Sequence, residues 1–207
     1  AEDLAAVREL FESAEAELRA GALDAARDTS RAALARAEGS LPDGHPFLAD
    51  VRLIVRDAEY VLELPEEQRA EAVAAYDTLE RIAATVRDAG AMEPLSLALT
   101  EYLAQFPQVN DTFCAGLGSL AVLRYQAGRP ADAERIAVGA VLFGLENQGA
   151  LHHDTTQGLG NLAYFLTVSR RYPEAEAIYA HTLELRRQLD GTDNLEYATV
   201  LFNLAQL

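Results

Sequence analysis

Apolar residues recur along this chain at the three- and four-residue spacing of amphipathic helices, most regularly over 111–207. Gly128 can end one helix, and Pro130 can open the next at a position that needs no amide donor. Asn110-Asp111 and Asp154 or Thr155 are expected to cap helices. The pattern predicts five helices here, over about 111–127, 130–146, 154–169, 173–190 and 193–207.

The amino-terminal half carries the same pattern with less regular spacing. It predicts helices over about 2–20, 23–38, 46–64, 66–89 and 94–106, which gives about ten helices in all. No linker rich in Ser, Gly or Pro interrupts the chain. We therefore predict an all-α protein with a single domain over 1–207, in which 10–110 holds degenerate repeats and 111–207 holds well-formed repeats, the last one incomplete.

Three pentads with related sequences lie 42 residues apart. They are Leu117–Ala121, Leu159–Ala163 and Leu201–Ala205. The same spacing relates Ala133 to Ala175 and Glu134 to Glu176. A fixed period of this size is typical of repeat arrays, in which each unit buries its apolar face against its neighbours.

Composition excludes several classes of function. Half of the 207 residues are apolar, the formal net charge is −16, and all 17 basic residues are Arg. This charge disfavours nucleic acids and anionic lipids as partners. The absence of Lys excludes Schiff-base chemistry and a P-loop. Cys114 is the only cysteine, so no intrachain disulfide can form. No segment is apolar and long enough to predict a membrane span.

Candidate chemical sites are better explained by the repeats. His152-His153-Asp154, with His181 downstream, could suggest a metal site, but adjacent His residues in an extended loop point to opposite sides. Paired carboxylates such as Glu174 with Glu176 are typical of solvated helix faces. The sequence contains no nucleophile elbow and no glycine-rich phosphate loop. We predict no metal, no cofactor and no catalytic residue, so the chain is not expected to be an enzyme.

Four segments together resemble the tetratricopeptide repeat, in the 42-residue form found in kinesin light chains and many bacterial regulators. They are Leu159–Ala163, Arg171–Tyr179, Leu183–Arg187 and Gly191–Asn194. The resemblance is specific across 111–207 and weaker over 10–51 and 52–110. Arg170 stands where this family usually has the Gly that Gly128 provides. The turn between repeats, often Asp-His-Pro in the family, has counterparts at His45-Pro46, His152-His153 and Asp193-Asn194.

The resemblance implies an α-solenoid, a superhelix of stacked antiparallel helix hairpins whose first helices line a concave groove. Asn161 and Asn203 lie on first helices, and in resembling families such amides hold the backbone of an extended peptide. Ser119 occupies the matching position in the preceding repeat. Tyr125, Gln126 and Tyr164 are expected on the same wall. Structural hydrogen bonds between helices remain the alternative for the two Asn residues.

The implied function is a non-catalytic scaffold that binds a peptide or partner protein, basic or neutral, in its concave groove. The alternative is a regulatory or sensor segment of a larger bacterial signalling protein, such as a kinase, cyclase or transcription regulator. A homodimer could form through the last helix, whose expected apolar face is Val200, Leu201, Leu204 and Leu207. The chain begins at Ala1 without Met, so a fragment and a mature secreted product both stay open. We expect a cytoplasmic location, with a secreted or periplasmic one as the alternative.

Overall fold

A computed structural model of the chain describes residues 2–74 and 113–207. Within these two ranges all regular structure is helical, which confirms the all-α class. The helices are α1 (Glu2–Arg19), α2 (Leu23–Ser40), α3 (Pro46–Glu63), α4 (66–74, the last described position of the first range), α5 (Phe113–Gln126), α6 (Pro130–Asn147), α7 (His153–Val168), α8 (Tyr172–Asp190) and α9 (Leu195–Ala205). The helix predicted over 94–106, the end of the one predicted over 66–89, and the cap predicted at Asn110-Asp111 lie outside the described residues.

The described residues divide between two compact units, one holding 2–74 and the other 114–207. In the first unit α1 packs on α2, and α2 packs on α3. Its core is small and apolar, built from Val7, Ala33, Ala37, Leu48 and Val51. The prediction of a single domain over 1–207 stays a prediction.

In the second unit each helix packs on the next one along the chain. Loops of a few residues join these helices, so neighbours that pack side by side run antiparallel. One core joins α5, α6 and α7 through Ala121, Ala133, Ala137 and Phe165. Another joins α7, α8 and α9 through Ala163, Leu166, Ala175, Tyr179 and Val200. The helical hairpins predicted for this region are therefore present.

Two helix ends in the second unit repeat the same backbone turn. Gly128 has φ 75° and Arg170 has φ 62°. After α5, Gly128 N donates to Tyr125 O at 2.9 Å; after α7, Arg170 N donates to Thr167 O at 3.0 Å. The fold thus imposes on Arg170 the left-handed conformation that the glycine of the repeat normally adopts.

Three helices, α3, α7 and α9, begin with a side-chain cap on a backbone amide of the first turn. His152 caps α7 because its Nδ1 accepts from Asp154 N at 3.2 Å, and His45 caps α3 in the same way, accepting from Phe47 N at 3.3 Å. Asn194 caps α9, where its Oδ1 accepts from Tyr197 N at 2.8 Å. The cap predicted at Asp154 or Thr155 was wrong in position, because both residues lie inside α7. The last helix, predicted from about residue 193, begins at Leu195.

Helices α6 and α7 approach closely at Gly144. A Cβ at this position would lie 2.5 Å from Thr155 Oγ1 and 3.2 Å from Thr155 Cα. No side chain fits there without moving α7, so this glycine fixes how closely the hairpins stack. The contact sets the position of α7, which carries half of the site described below.

The predicted apolar face of the last helix is divided. Val200 is 7% exposed and packs with Tyr179, and Leu204 is partly buried beside them. Leu201 is 48% exposed and Phe202 62%. Only part of the predicted dimerisation face is therefore open to solvent. In the two described ranges, no helix is both long and apolar enough to cross a bilayer.

Candidate functional site

A cavity of about 300 Å³ lies between α7 and α9, with α8 beneath it. We call it the α7–α9 cavity. It is lined by Thr156, Gln157, Gly160, Asn161 and Tyr164 of α7, Arg186 of α8, and Leu195, Glu196, Thr199, Val200 and Asn203 of α9. Eight of these eleven lining residues have polar side chains, which include amides, hydroxyls and one charge of each sign.

A second cavity of about 440 Å³ adjoins the first, since both are lined by Gln157, Arg186 and Glu196. We call it the acidic cavity because its remaining lining residues include Asp154 and Asp190. The others are His153 and Asn194. His153 Nδ1 lies 3.5 Å from Asp190 Oδ2, which ties the start of α7 to the end of α8.

The structure brings together three of the six side chains predicted to bind a peptide. Asn161, Tyr164 and Asn203 line the α7–α9 cavity. Tyr125 reaches it indirectly, because its ring packs edge-on against Tyr164 with centroids 5.6 Å apart. The other two, half-buried Ser119 and exposed Gln126, lie on α5 and do not line this cavity.

Asn161 is held by a neighbour on its own helix. Gln157, one turn earlier, donates from Nε2 to Asn161 Oδ1 at 3.2 Å. On the α5 side, Asn161 Nδ2 lies 3.5 Å from where a Cβ would stand on Gly118. The amide is therefore oriented within the cavity before any ligand arrives.

Asn203 has a partner inside the protein. Its side chain hydrogen-bonds with the phenol of Tyr179, a buried residue of α8. Burial raises the pKa of this phenol, and hydrogen bonds with Thr167 and Asn203 lower it to a smaller extent. The alternative that the sequence left open, a structural hydrogen bond between helices, thus applies to Asn203. The same residue also lines the cavity.

Tyr164 presents a polar edge next to these amides. A hydrogen bond with Tyr125, followed by burial, raises the pKa of the Tyr164 phenol. The ring itself is 41% exposed. It can therefore offer stacking area to a ligand while its hydroxyl stays fixed by its neighbour.

Sequence reasoning missed Arg186, which lies where the two cavities meet. The residue is 4% exposed, and its Nη2 is 3.4 Å both from His153 O and from Gln157 Oε1. Its Nε is buried without a hydrogen-bond partner. Burial lowers the pKa of the guanidinium, and the negative charges of Asp190, Glu196 and Asp154 oppose this.

A signal for Arg186 was present in the sequence. It falls four residues after Thr182 and seven after Tyr179, so the helical period places it on the same face of α8 as these two buried residues. A charge on such a face is unusual because burying it removes water without supplying a counter-ion. An Arg at an inward helical position therefore marks a candidate site.

A comparison with curated proteins found no match. Among solved structures, the chain is similar to a kinesin light chain with nearly identical tetratricopeptide-like repeats from Podosopora anserina. The TM-score is 0.47 at 15% sequence identity, over 88% of this chain and 95% of that chain.

The family model of the tetratricopeptide repeat matches residues 154–207. This segment contains α8, α9 and nearly all of α7, and it includes every residue that lines the α7–α9 cavity. The chain therefore carries the tetratricopeptide repeat over residues 154–207, which confirms the family resemblance for this segment.

Proposed function

We propose that the chain is a non-catalytic scaffold that binds an extended segment of a partner protein in the α7–α9 cavity. Tetratricopeptide repeats generally mediate protein–protein interactions. The observation that carries the proposal is that Asn161 and Asn203, equivalent residues of successive repeats, line one cavity together with Tyr164.

The chemistry of this wall suits a peptide backbone. A side-chain amide offers both a donor and an acceptor, so it can pair with a peptide group whatever the side chain beside it. Two such amides on neighbouring helices can hold an extended strand at two points. Tyr164 adds an exposed ring on which an apolar side chain can pack. These features support binding of an extended peptide.

Asn161 gives the cleaner test, because Asn203 also forms a hydrogen bond with Tyr179 inside the protein. We expect Asn161→Ala to weaken binding of a groove ligand by about tenfold, the effect of one or two lost hydrogen bonds. The melting temperature should barely change, since the hydrogen bond from Gln157 links two residues of one helix at the surface. The ligand would be a peptide selected from a random library on the wild-type chain, and its affinity would be measured by calorimetry.

Gln188→Ala is a suitable control because Gln188 is an exposed amide of α8 that bonds Glu184 and lies outside both cavities. It should leave the affinity unchanged. If Asn161→Ala and Gln188→Ala bind the selected peptide equally well, the ligand does not use this cavity and the proposed function fails.

A further inference from the structure

The outward face of α6 carries a stripe of exposed apolar side chains. Val138, Leu142 and Leu145 follow one another at intervals of four and three residues, so they lie along one side of the helix. They are 39%, 55% and 45% exposed, on the face opposite the buried Ala137 and Gly144. Single exposed apolar residues are common, but a contiguous stripe at this spacing is the pattern of a helix that packs against another helix.

The repeat itself does not require this stripe. The residues 42 positions later, at the equivalent places on α8, are Ala180, Glu184 and Arg187. Glu184 and Arg187 are exposed and pair with each other at 2.7 Å, so α8 presents a solvated face where α6 presents an apolar one. This difference between two equivalent helices indicates that the stripe of α6 serves contact with another molecule.

The charges at the two ends of the stripe have opposite signs. At its amino-terminal end, Arg135 and Arg129 share the carboxylate of Asp132, so these three residues carry one net positive charge. At its carboxyl-terminal end Glu146 is exposed, and the last turn of α6 contains no basic residue. Two such helices placed antiparallel bring the positive end of each to the negative end of the other, and the helix dipoles favour the same arrangement. The stripe is therefore complementary in charge to a second copy of itself.

The antiparallel arrangement also matches the shape of the two helices. Gly139 lies four residues after Arg135, and Leu142 lies four residues before Glu146. The register that sets Arg135 beside the partner's Glu146 therefore sets Leu142 over the partner's Gly139. A Cβ at Gly139 would meet no neighbouring heavy atom within 4 Å, so the space beside this glycine is open to a side chain. Each copy thus supplies one projecting leucine and one open position, as a twofold interface requires.

We propose that two copies of the chain associate through this stripe, with their α6 helices antiparallel. The interface uses none of the residues that line the α7–α9 cavity, so the inference does not depend on the proposed function. A contact between two single helices buries less than the roughly 1,200 Å² of stable complexes. We therefore expect a weak dimer, with a dissociation constant of roughly 10–100 μM.

Analytical ultracentrifugation of the whole chain measures this association directly. Between about 5 and about 500 μM, a range that spans the expected dissociation constant, the sedimentation coefficient should rise from that of a monomer to that of a dimer. A chain that stays monomeric throughout this range overturns the inference. Asn161→Ala should associate like the wild-type chain, because Asn161 lies on α7 in the cavity and not on the stripe.

Leu142→Glu combined with Leu145→Arg gives α6 the exposed ion pair that α8 carries at the equivalent positions. The variant should fold, because α8 accommodates the same pair, and it should associate at least about tenfold more weakly than the wild-type chain. Phe202→Ser is the matched control, since Phe202 is an exposed apolar residue of α9 outside the stripe. It should associate like the wild-type chain. The inference is overturned if the α6 variant associates as tightly as the wild type, and loss of association in Phe202→Ser alone would assign the dimer to the last helix.

Arg135→Glu and Glu146→Arg test the antiparallel arrangement and change only exposed side chains. Each variant alone should associate roughly tenfold more weakly than the wild type, because like charges then meet at both ends of the interface. An equimolar mixture of the two variants should associate again, since every contact between the ends then joins opposite charges. If neither variant is weakened, or if the mixture associates no better than its components, the ends of the two helices do not meet and the inference is overturned.

Discussion

At the scale of the residue, Arg170 shows how the repeat tolerates a departure from its pattern. Its φ of 62° is close to the 75° of Gly128, and the backbone hydrogen bonds of the two turns match. A side chain with a Cβ is disfavoured by roughly 1–2 kcal/mol in this left-handed region. The turn forms regardless, because packing of α7 against α8 fixes the positions of both helices.

Arg170→Gly should therefore stabilise the chain. We expect the free energy of unfolding to rise by about 1 kcal/mol, since the released strain exceeds the added entropy of glycine in the unfolded state. Urea denaturation would measure it. Gly128→Ala is the mirror-image control and should destabilise by a similar amount. If the denaturation midpoint of Arg170→Gly is unchanged, contacts of the Arg170 side chain offset the strain of its backbone.

At the scale of the element, the three caps show that one position can be filled by different chemistry. His45 and His152 accept through Nδ1, and Asn194 accepts through Oδ1, each from an amide in the first turn of its helix. The geometry demands an acceptor of short reach at this place. It does not demand one residue type, which is why histidine can replace the usual Asn, Asp, Ser or Thr.

Asn194→Ala should loosen the start of α9. It removes the bond accepted from Tyr197 N, and the expected loss is about 1 kcal/mol of unfolding free energy. Asn194→His should retain most of the stability because imidazole already caps α3 and α7 in this way. Denaturation midpoints would compare the two, and hydrogen exchange in the first turn of α9 would locate the effect. If both variants lose stability equally, imidazole cannot substitute for the amide at this helix.

The helices themselves could largely be predicted from sequence, for a physical reason. Gly128, Pro130 and Pro173 act locally, so they mark helix ends wherever they occur. The caps were misplaced because His152 is not a residue that intrinsic preference assigns to a helix start. Its cap depends on ring orientation, which the chain only acquires when His152 is buried.

Residues of the candidate site could be predicted from the sequence where they recur at the 42-residue spacing of the repeats. Asn161 and Asn203 were found through their 42-residue spacing, and Tyr164 lies one turn from Asn161. Arg186 belongs to a segment that carries the repeat resemblance, but the residue 42 positions earlier is Gly144 and not a second Arg. It also lies on a second helix, and only first helices were expected to line the groove. The bond between Asn203 and Tyr179 joins different helices, and only the packed structure shows it.

At the scale of the whole molecule, acidic side chains outnumber the basic side chains that can form ion pairs with them. Several Arg residues form ion pairs between helices of the first unit, such as Arg31 with Glu59 at 2.5 Å and Arg52 with Glu38 at 3.2 Å. These side chains are about half exposed, so each pair contributes only about 0.2–1 kcal/mol. With 33 acidic residues against 17 basic ones, the basic residues can match only about half of the carboxylates one to one.

Added salt should therefore stabilise the protein. Screening weakens both the ion pairs and the repulsion within a net charge of −16, and the repulsion involves more groups. We expect the melting temperature at pH 7 to rise by about a few degrees as NaCl increases from about 10 mM to about 300 mM, a range over which the screening length falls several-fold. Near the isoelectric point of about 4.5, where the net charge vanishes, the same salt should have little effect or a destabilising one. A melting temperature that falls with salt at pH 7 would mean that pairs such as Arg31 with Glu59 outweigh the repulsion, and that the acidic surface is better compensated than its composition indicates.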